Sequence, residues 1–415
     1  MRILFVNRYF WPDHSATSQL LGDLAFHLAE QGHEVAVIAS RQRYDAPDAR
    51  LEPWAQERGV TIHRVRTTRF GRGGLLGRAV DYLSFYLTAA RWLARLAGSG
   101  DVVVVKTDPP LFCLVAGVLS KLKGFRLVNW LQDVYPEVAQ ALGVPVAGGA
   151  VGRTLRRLRN AVLRGSAANV VLGARMAEHL AREGLDASRI AVIHNWSDED
   201  TVRPVPPESN RLRTDWGLAD RFVVGYSGNL GRAHESETLL AVAERLAHRQ
   251  DIRFLMVGGG SGMDWLQAEV ARRNLSNFVF KPYQPRARLA KSLSVADVHW
   301  LSLNPSMEGL IVPSKFYGIA AAGRPAIMVG DADGEVARLL AVNGCGVTVP
   351  VGGAEAFAAA VAAFADDPVR TRAMGLRARR LFEQRFTRRE ALARWDALLA
   401  RTAAEPATLQ PKEAA

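Results

Sequence analysis

The segment Asn304-Pro-Ser-Met-Glu-Gly-Leu-Ile-Val-Pro-Ser-Lys315 holds side chains suited to binding an anion. It runs from an apolar, strand-like stretch at 298–301 into a helical stretch at 316–322 and on to Gly323-Arg-Pro325. A loop entering a helix this way aims backbone N–H groups that lack intrahelical partners outward. Lys315 and Ser314 add an ammonium and a hydroxyl, so the set could hold a diphosphate. A surface loop capped by Ser314 would use the same residues without a ligand. Asp133 stands just beyond another strand-like stretch, which ends at Trp130. Its carboxylate can take the proton of a hydroxyl nucleophile, hold a substrate hydroxyl, or sit in a structural salt bridge. Its neighbour Gln132 cannot act as a base. Asn7-Arg-Tyr-Phe-Trp-Pro-Asp-His-Ser-Ala16 leads into a helix, where the small residues Ser15 and Ala16 would let a phosphate approach the N-terminus. The alternative there is an ordinary connection with a serine cap.

Two further patterns imitate other chemistries. Phe254-Leu-Met-Val-Gly-Gly-Gly-Ser-Gly-Met263 has the strand, glycines and helix of a dinucleotide site. Met263 replaces the third glycine, however, and the stretch 278–280 lacks the acid that would hold a ribose, so a tight turn for close packing is the simpler reading. Asp331-Ala-Asp333 imitates a metal-binding pair, but two carboxylates alone do not make a site, and no metal or cofactor is expected. Glu335 reads as a charge partner for the N-terminus of the helix it begins.

Positioning these residues requires alternating strands and helices. β-branched runs near 2–7, 34–39, 60–66, 101–106, 125–130, 168–172 and 190–193 predict one parallel sheet, with a helix over 15–31 ended by Gly32. A polar, proline-rich break at 194–207 precedes a second series at 222–226, 254–257, 278–280, 298–301, 326–329 and 346–349. The expected fold is α/β, with two doubly wound Rossmann-like halves whose strand ends face a shared cleft. The expected domains are 1–200 and 201–384, with a helix at 385–400 packing back on the first half, a hinge in 197–220, and a disordered tail at 402–415.

A chain of 415 residues, 48% hydrophobic and 23% charged, suits two globular cores. Cys113 and Cys345 fall in different halves without metal or redox spacing, as expected in a reducing compartment. The opening residues read as a strand rather than a signal peptide, and Arg91 and Arg95 interrupt the best membrane-span candidate at 80–97. A net charge of +12 calls for an anionic partner, and no nucleic-acid-binding motif accompanies it. Arg153-Thr-Leu-Arg-Arg-Leu-Arg-Asn-Ala-Val-Leu-Arg164 sets Leu155, Leu158 and Val162 at helical spacing among five arginines, and 64–95 mixes arginines with Leu75, Leu76, Tyr82, Phe85, Tyr86 and Trp92. Such surfaces can rest on an anionic bilayer or can be solvated faces of sheet-covering helices.

Glu308-Gly309, Pro313-Ser-Lys-Phe-Tyr317 and Ala322-Gly-Arg-Pro325 resemble the donor-binding segment of retaining family-4-type glycosyltransferases, which have the GT-B architecture. Gly32-His-Glu-Val35, Gln132-Asp-Val-Tyr-Pro-Glu137, His194-Asn-Trp196, Gly228-Asn-Leu-Gly231, Val257-Gly258 and Cys345-Gly346 agree in order, so the resemblance spans nearly the whole chain. It is nearest to bacterial enzymes of O-antigen, capsule and colanic-acid assembly, N-acetyl-L-fucosamine transferases among them. The resemblance implies transfer of a sugar from a nucleotide diphosphate, UDP first, to a lipid-linked saccharide by a protein peripheral to the inner face of the cytoplasmic membrane. The site it implies has Asp133, Lys315 and Glu308 as catalytic groups. Ser15, Ala16, Asn229, Gly231, Arg232, His234, Gly258, Tyr283, Ser314 and Lys315 would bind the donor. Two departures stand out: Gly318 occupies the place of the family's second loop glutamate, with Glu308 two residues early for the first, and Asn229 and His234 replace a customary Arg and Lys. A non-transferring sugar-nucleotide epimerase of the same architecture and a basic nucleic-acid-binding protein are the alternative readings.

Overall fold

The computed structural model describes residues 1–44, 49–70 and 74–404, and the chain divides into two compact units. Unit 1 comprises residues 1–194 together with the chain from Leu392 onward; unit 2 comprises 195–391.

Unit 1 runs β1 (Arg2–Val6), α1 (Ala16–Glu30), β2 (Glu34–Ser40), β3 (Trp54–Glu57), β4 (Val60–Val65), α2 (Leu75–Leu96), β5 (Val102–Lys106), α3 (Phe112–Lys123), β6 (Arg126–Trp130), α4 (Glu137–Ala141), α5 (Gly149–Gly165), β7 (Ala168–Val171), α6 (Ala174–Arg182) and β8 (Ile190–Val192). Its sheet has the order β3-β4-β2-β1-β5-β6-β7-β8 and is parallel except at β3. The central strands are apolar along their length because helices cover both faces. On one face, Phe85, Ala89 and Leu93 of α2 and Phe112 and Ala116 of α3 pack on Leu4, Ile38, Val103 and Val105. α1 is capped at its C-terminus by Gln31, and Gly32 takes the left-handed conformation that a side chain would resist. The edge strand β3 gave no sequence signal: Trp-Ala-Gln-Glu is short, and it pairs with β4 only because Arg58 and Gly59 turn the chain back with positive φ.

Unit 2 runs α7 (Arg211–Asp215), β9 (Phe222–Asn229), α8 (Glu237–Arg245), β10 (Ile252–Gly259), α9 (Ser261–Arg272), β11 (Phe278–Lys281), α10 (Leu289–Leu293), β12 (Val298–Ser302), α11 (Lys315–Ala321), β13 (Ala326–Val329), α12 (Glu335–Asn343), β14 (Gly346–Val349), α13 (Ala354–Asp366), α14 (Pro368–Arg385) and α15 (Arg388–Ala404), the last ending in unit 1. Its sheet is wholly parallel, in the order β11-β10-β9-β12-β13-β14. Alternate residues feed separate cores: Val224, Phe254 and Met256 join one, while Val223, Leu255 and Val257 join the other.

Two expectations change. The proposed hinge at 197–220 is tied down on unit 2. Val205 N–H donates to Ser294 Oγ, Asn210 Nδ2 to the Lys291 carbonyl, and Arg213 pairs with Asp297 at 3.0 Å. Residues 402–404 of the expected tail belong to α15, with Thr402 buried; the remainder, 405–415, lies outside the described residues. On α5 the inward face carries Gly152, Arg159, Asn160 and Leu163, while Leu158 is 51% exposed. Arg159 turns inward because Glu137 meets it at 2.5 Å. Glu137, His179 and Glu183 lie close enough together to hold a cation, but the Arg159 guanidinium already fills that role and Asn160 donates to Glu183.

Candidate functional site

In unit 2 the strand ends and the loop before α11 assemble around Lys315. Its Nζ lies 3.1 Å from His234 Nε2 and 5.3 Å from the centre of the Tyr226 ring. His234 Nδ1 contacts the Ser302 carbonyl at 2.8 Å; a carbonyl only accepts, so Nδ1 carries the ring proton and Nε2 offers its lone pair to the ammonium. Burial and the adjacent Lys315 push His234 down to about 4, which keeps the ring neutral. Burial also lowers Lys315 to about 8, leaving it mostly charged at neutral pH. A half-buried cation held by a neutral acceptor keeps its charge available for an anion.

Glycines make room for this lysine. A Cβ on Gly228 would lie 2.8 Å from Lys315 Cε, and one on Gly258 only 2.1 Å from the Gly228 carbonyl oxygen. Gly258 therefore serves close approach of β10 to β9. Within the glycine turn, Gly262 N–H donates to the Leu230 carbonyl and Met263 N–H to that of Gly260, which supports the reading as a packing turn. Tyr283 is 59% exposed, with its ring edge beside Gly259. Asn229, the last residue of β9, and Arg232, on the connection after it, are exposed, and the Gly231 carbonyl accepts the His234 N–H. Ser314 is exposed and makes no side-chain cap.

Glu308, expected among the catalytic groups, caps a helix in this structure. Its Oε1 accepts the Glu335 N–H at 2.8 Å, capping α12, and Glu335 is buried at that N-terminus. Gly318 lies beside Leu293, so an apolar contact stands where a ribose-binding carboxylate was sought. The Asp331 carboxylate accepts the Asp333 N–H, and Asp333 pairs with Arg338 at 2.7 Å.

In unit 1 the loops after β1, β5 and β6 converge. Thr107 Oγ1 accepts from the N–H groups of Gln132 at 3.0 Å and Asp133 at 3.3 Å, which ties the second loop to the third. Asp133 is raised to about 6 by burial first and then by the charge of Asp108, with Lys106 opposing. Asp108 is likewise raised to about 6, chiefly by burial. Lys106 is buried 3.5 Å from the centre of the Trp130 ring and donates to the Thr17 carbonyl at 3.0 Å; burial holds its pKa well below that of a free lysine. Trp130 in turn meets Trp395 of α15 at 4.7 Å between ring centres. Ser15 does not cap α1; its N–H is donated to Asp13 Oδ1, so it is already spent, while its buried Oγ has no hydrogen-bond partner among the described residues. Ala16 is exposed on the first turn of α1.

Sequence reading missed Lys106, Asp108 and Arg8. The signal was present as a lysine closing an otherwise all-valine strand, followed by Thr-Asp-Pro-Pro. A lysine that ends a fully covered strand must find a partner beyond the sheet edge.

Residues 17–196 match the glycosyl transferase 4-like domain family, and residues 221–367 match the glycosyl transferases group 1 family. The chain is 27% identical over 351 residues to the putative colanic acid biosynthesis glycosyl transferase WcaI of Escherichia coli (strain K12), covering 82% of this chain and 86% of that protein. It is 28% identical over 282 residues to the probable glycosyltransferase WbjE of Pseudomonas aeruginosa, covering 68% and 70%. Among solved structures, sucrose-phosphate synthase of Thermosynechococcus elongatus superposes with a TM-score of 0.75 at 16% identity, over 97% of this chain and 98% of that one. Anabaena HepE in complex with UDP gives 0.70 at 15%, over 97% and 100%. These likenesses carry the fold: two parallel Rossmann-like sheets of the GT-B class. With both sheets, the ordered motifs and two family matches spanning most of its length, the chain belongs to the family-4-type glycosyltransferases.

Proposed function

We propose that this enzyme moves a hexose, N-acetyl-L-fucosamine or a relative of it, from UDP to a hydroxyl of a polyprenyl-diphosphate-linked saccharide in bacterial surface-polysaccharide assembly, with retention at the anomeric carbon. The observation that carries the donor side is the Lys315 ammonium, held by neutral His234 beyond the carboxyl ends of a parallel sheet, where such folds bind ligands. Structures of HepE with UDP and with UDP-glucose, and the polysaccharide relative WcaI, support the choice of donor class and pathway.

In the proposed reaction the bond from the anomeric carbon to the diphosphate breaks and one to the acceptor oxygen forms on the same face. The departing phosphate oxygen takes the acceptor proton. Lys315, with Arg232 two residues before its partner His234, offsets the charge that grows on the diphosphate, and Asp133 orients the acceptor hydroxyl. Tyr283 offers an exposed ring to the base. This scheme routes no step through a metal or cofactor.

The lipid-linked acceptor would place unit 1 against a membrane, at the inner face of the cytoplasmic bilayer in our reading. α2 turns Leu76, Val80, Leu83 and Leu87 outward on one stripe, with Leu76 85% exposed, and continues it with Arg91 and Arg95. α3, packed beside it, exposes Val118 and Leu122 with Lys121 and Lys123 nearby, and α5 exposes Val151 and Leu158 among arginines. Apolar side chains ringed by cations suit an anionic bilayer, each near-surface cation contributing about 1 kcal/mol.

A thermal-shift screen of UDP-, GDP-, ADP- and dTDP-sugars tests the donor. Ligand at about a hundred times its dissociation constant adds about 2.7 kcal/mol, a clear rise in midpoint for UDP-sugars. No shift with any nucleotide sugar would remove the transferase reading of Lys315.

A further inference from the structure

Beyond the carboxyl ends of β2 and β4, unit 1 opens into a basin of about 470 Å³ lined by Arg41, Gln42, Arg50, Arg66, Thr67 and Arg69. That volume is within the range of ligand sites, about 300–1,000 Å³, and open α/β sheets bind ligands at this end. Four guanidiniums share the basin, and no carboxylate lines it among the described residues. Arg41 is anchored through Nε to the Leu51 carbonyl at 2.8 Å. The Arg50, Arg66 and Arg69 side chains make no hydrogen bond or ion pair among the described residues and stand exposed. Like charges gathered with no counter-charge among the described residues repel one another, and an anion with several oxygens relieves this through forked N–H contacts.

A chain of contacts links the basin to the loop that carries Asp108. Buried Gln42 is fixed by donation from Nε2 to the Thr68 carbonyl, and its Oε1 accepts from Arg8 at 3.4 Å. Arg8 lies over the Tyr9 and Tyr82 rings, and its backbone N–H donates to the Asp108 carbonyl at 2.7 Å. Three strand spacings separate β2 from β6, where Asp133 follows, or roughly 14 Å. A short saccharide between a diphosphate and an attacked hydroxyl would span that distance.

We infer that this arginine basin binds the diphosphate of the lipid-linked acceptor, so that the saccharide extends past Arg8 toward Asp133. The inference rests on the acceptor class proposed above and adds to it a phosphate site separate from the nucleotide's. It is tested on the full chain saturated with UDP, which occupies the donor's phosphate site. The probes are farnesyl diphosphate, inorganic pyrophosphate, and phosphatidylcholine vesicles containing phosphatidylglycerol. The variant R66Q/R69Q is compared with R211Q/R245Q, which removes equal charge from exposed positions in unit 2.

The expected result is a loss of farnesyl diphosphate affinity of at least about tenfold in R66Q/R69Q alone, with pyrophosphate binding more weakly than the lipid form and both variants losing vesicle binding to the same small extent. Equal loss of farnesyl diphosphate binding in both variants would reduce the basin to general surface charge. A vesicle-binding loss confined to R66Q/R69Q and as large as that for farnesyl diphosphate would make it a headgroup site. Pyrophosphate binding as tight as farnesyl diphosphate would make it a site for free diphosphate. Wild-type protein that binds UDP but not farnesyl diphosphate would overturn this inference and leave the donor reading standing; failure to bind UDP at all would remove the donor reading itself.

Discussion

Lys315 and His234 form a pair whose protonation can be read from one contact: the Ser302 carbonyl forces the proton onto Nδ1, so Nε2 must accept from the lysine. Lys315 titrates at about 8, below the ordinary lysine value, so its charge is present below that pH and lost above it. UDP affinity should accordingly decline above about pH 8 in the native enzyme and show no such limb in Lys315→Ala, as measured by calorimetry across pH. At neutral pH the same substitution should lower turnover at least about tenfold, or about 1.4 kcal/mol of transition-state stabilisation. Its melting midpoint should not fall, because burial already disfavours the ammonium it removes. At the other end of the range, Asp133 and Asp108 both sit at about 6. Their charged forms exist above that pH, so kcat/KM should drop as pH falls through the pair's apparent value, and Asp133→Asn should flatten this acid limb.

At the scale of elements, α12 shows how a loop carboxylate can serve a helix end. Its first N–H groups have no intrahelical acceptor, and Glu308 reaches from another loop to supply one at 2.8 Å. Glu308→Ala should destabilise unit 2 by about 1 kcal/mol, seen as a lower denaturation midpoint. A tenfold loss of turnover without any loss of stability would restore Glu308 to the donor site. The α5 face teaches a related lesson. Apolar spacing left open whether Leu158 faced a bilayer or the sheet; it is exposed, and Arg159 is the buried residue because Glu137, 22 positions earlier, supplies its counter-charge. Periodicity ranks residues by their own polarity and cannot anticipate a partner that only folding provides.

For the whole molecule, the outward stripe of α2 is the element on which membrane attachment would depend. Leu83→Glu with Leu87→Glu should abolish flotation with anionic vesicles while leaving the UDP-induced thermal shift intact, since both side chains point away from the core. Retained flotation would assign those leucines to solvent. Among the described residues no helix is long and apolar enough to cross a bilayer, so attachment of this part of the chain would rest on such a surface. The strand series in both halves, the Gly32 turn and the location of the Lys315 loop were legible from the sequence alone. Each depends on local rules: β-branched runs, a residue free to take positive φ, and a loop between strand and helix. The edge strand β3, the Lys106 and Asp108 surroundings of Asp133, the capping role of Glu308 and the arginine basin were decided only by tertiary structure. In each of these, residues far apart in the chain set one another's charge, burial or pairing, and such energies exist only once the sheet has brought them together.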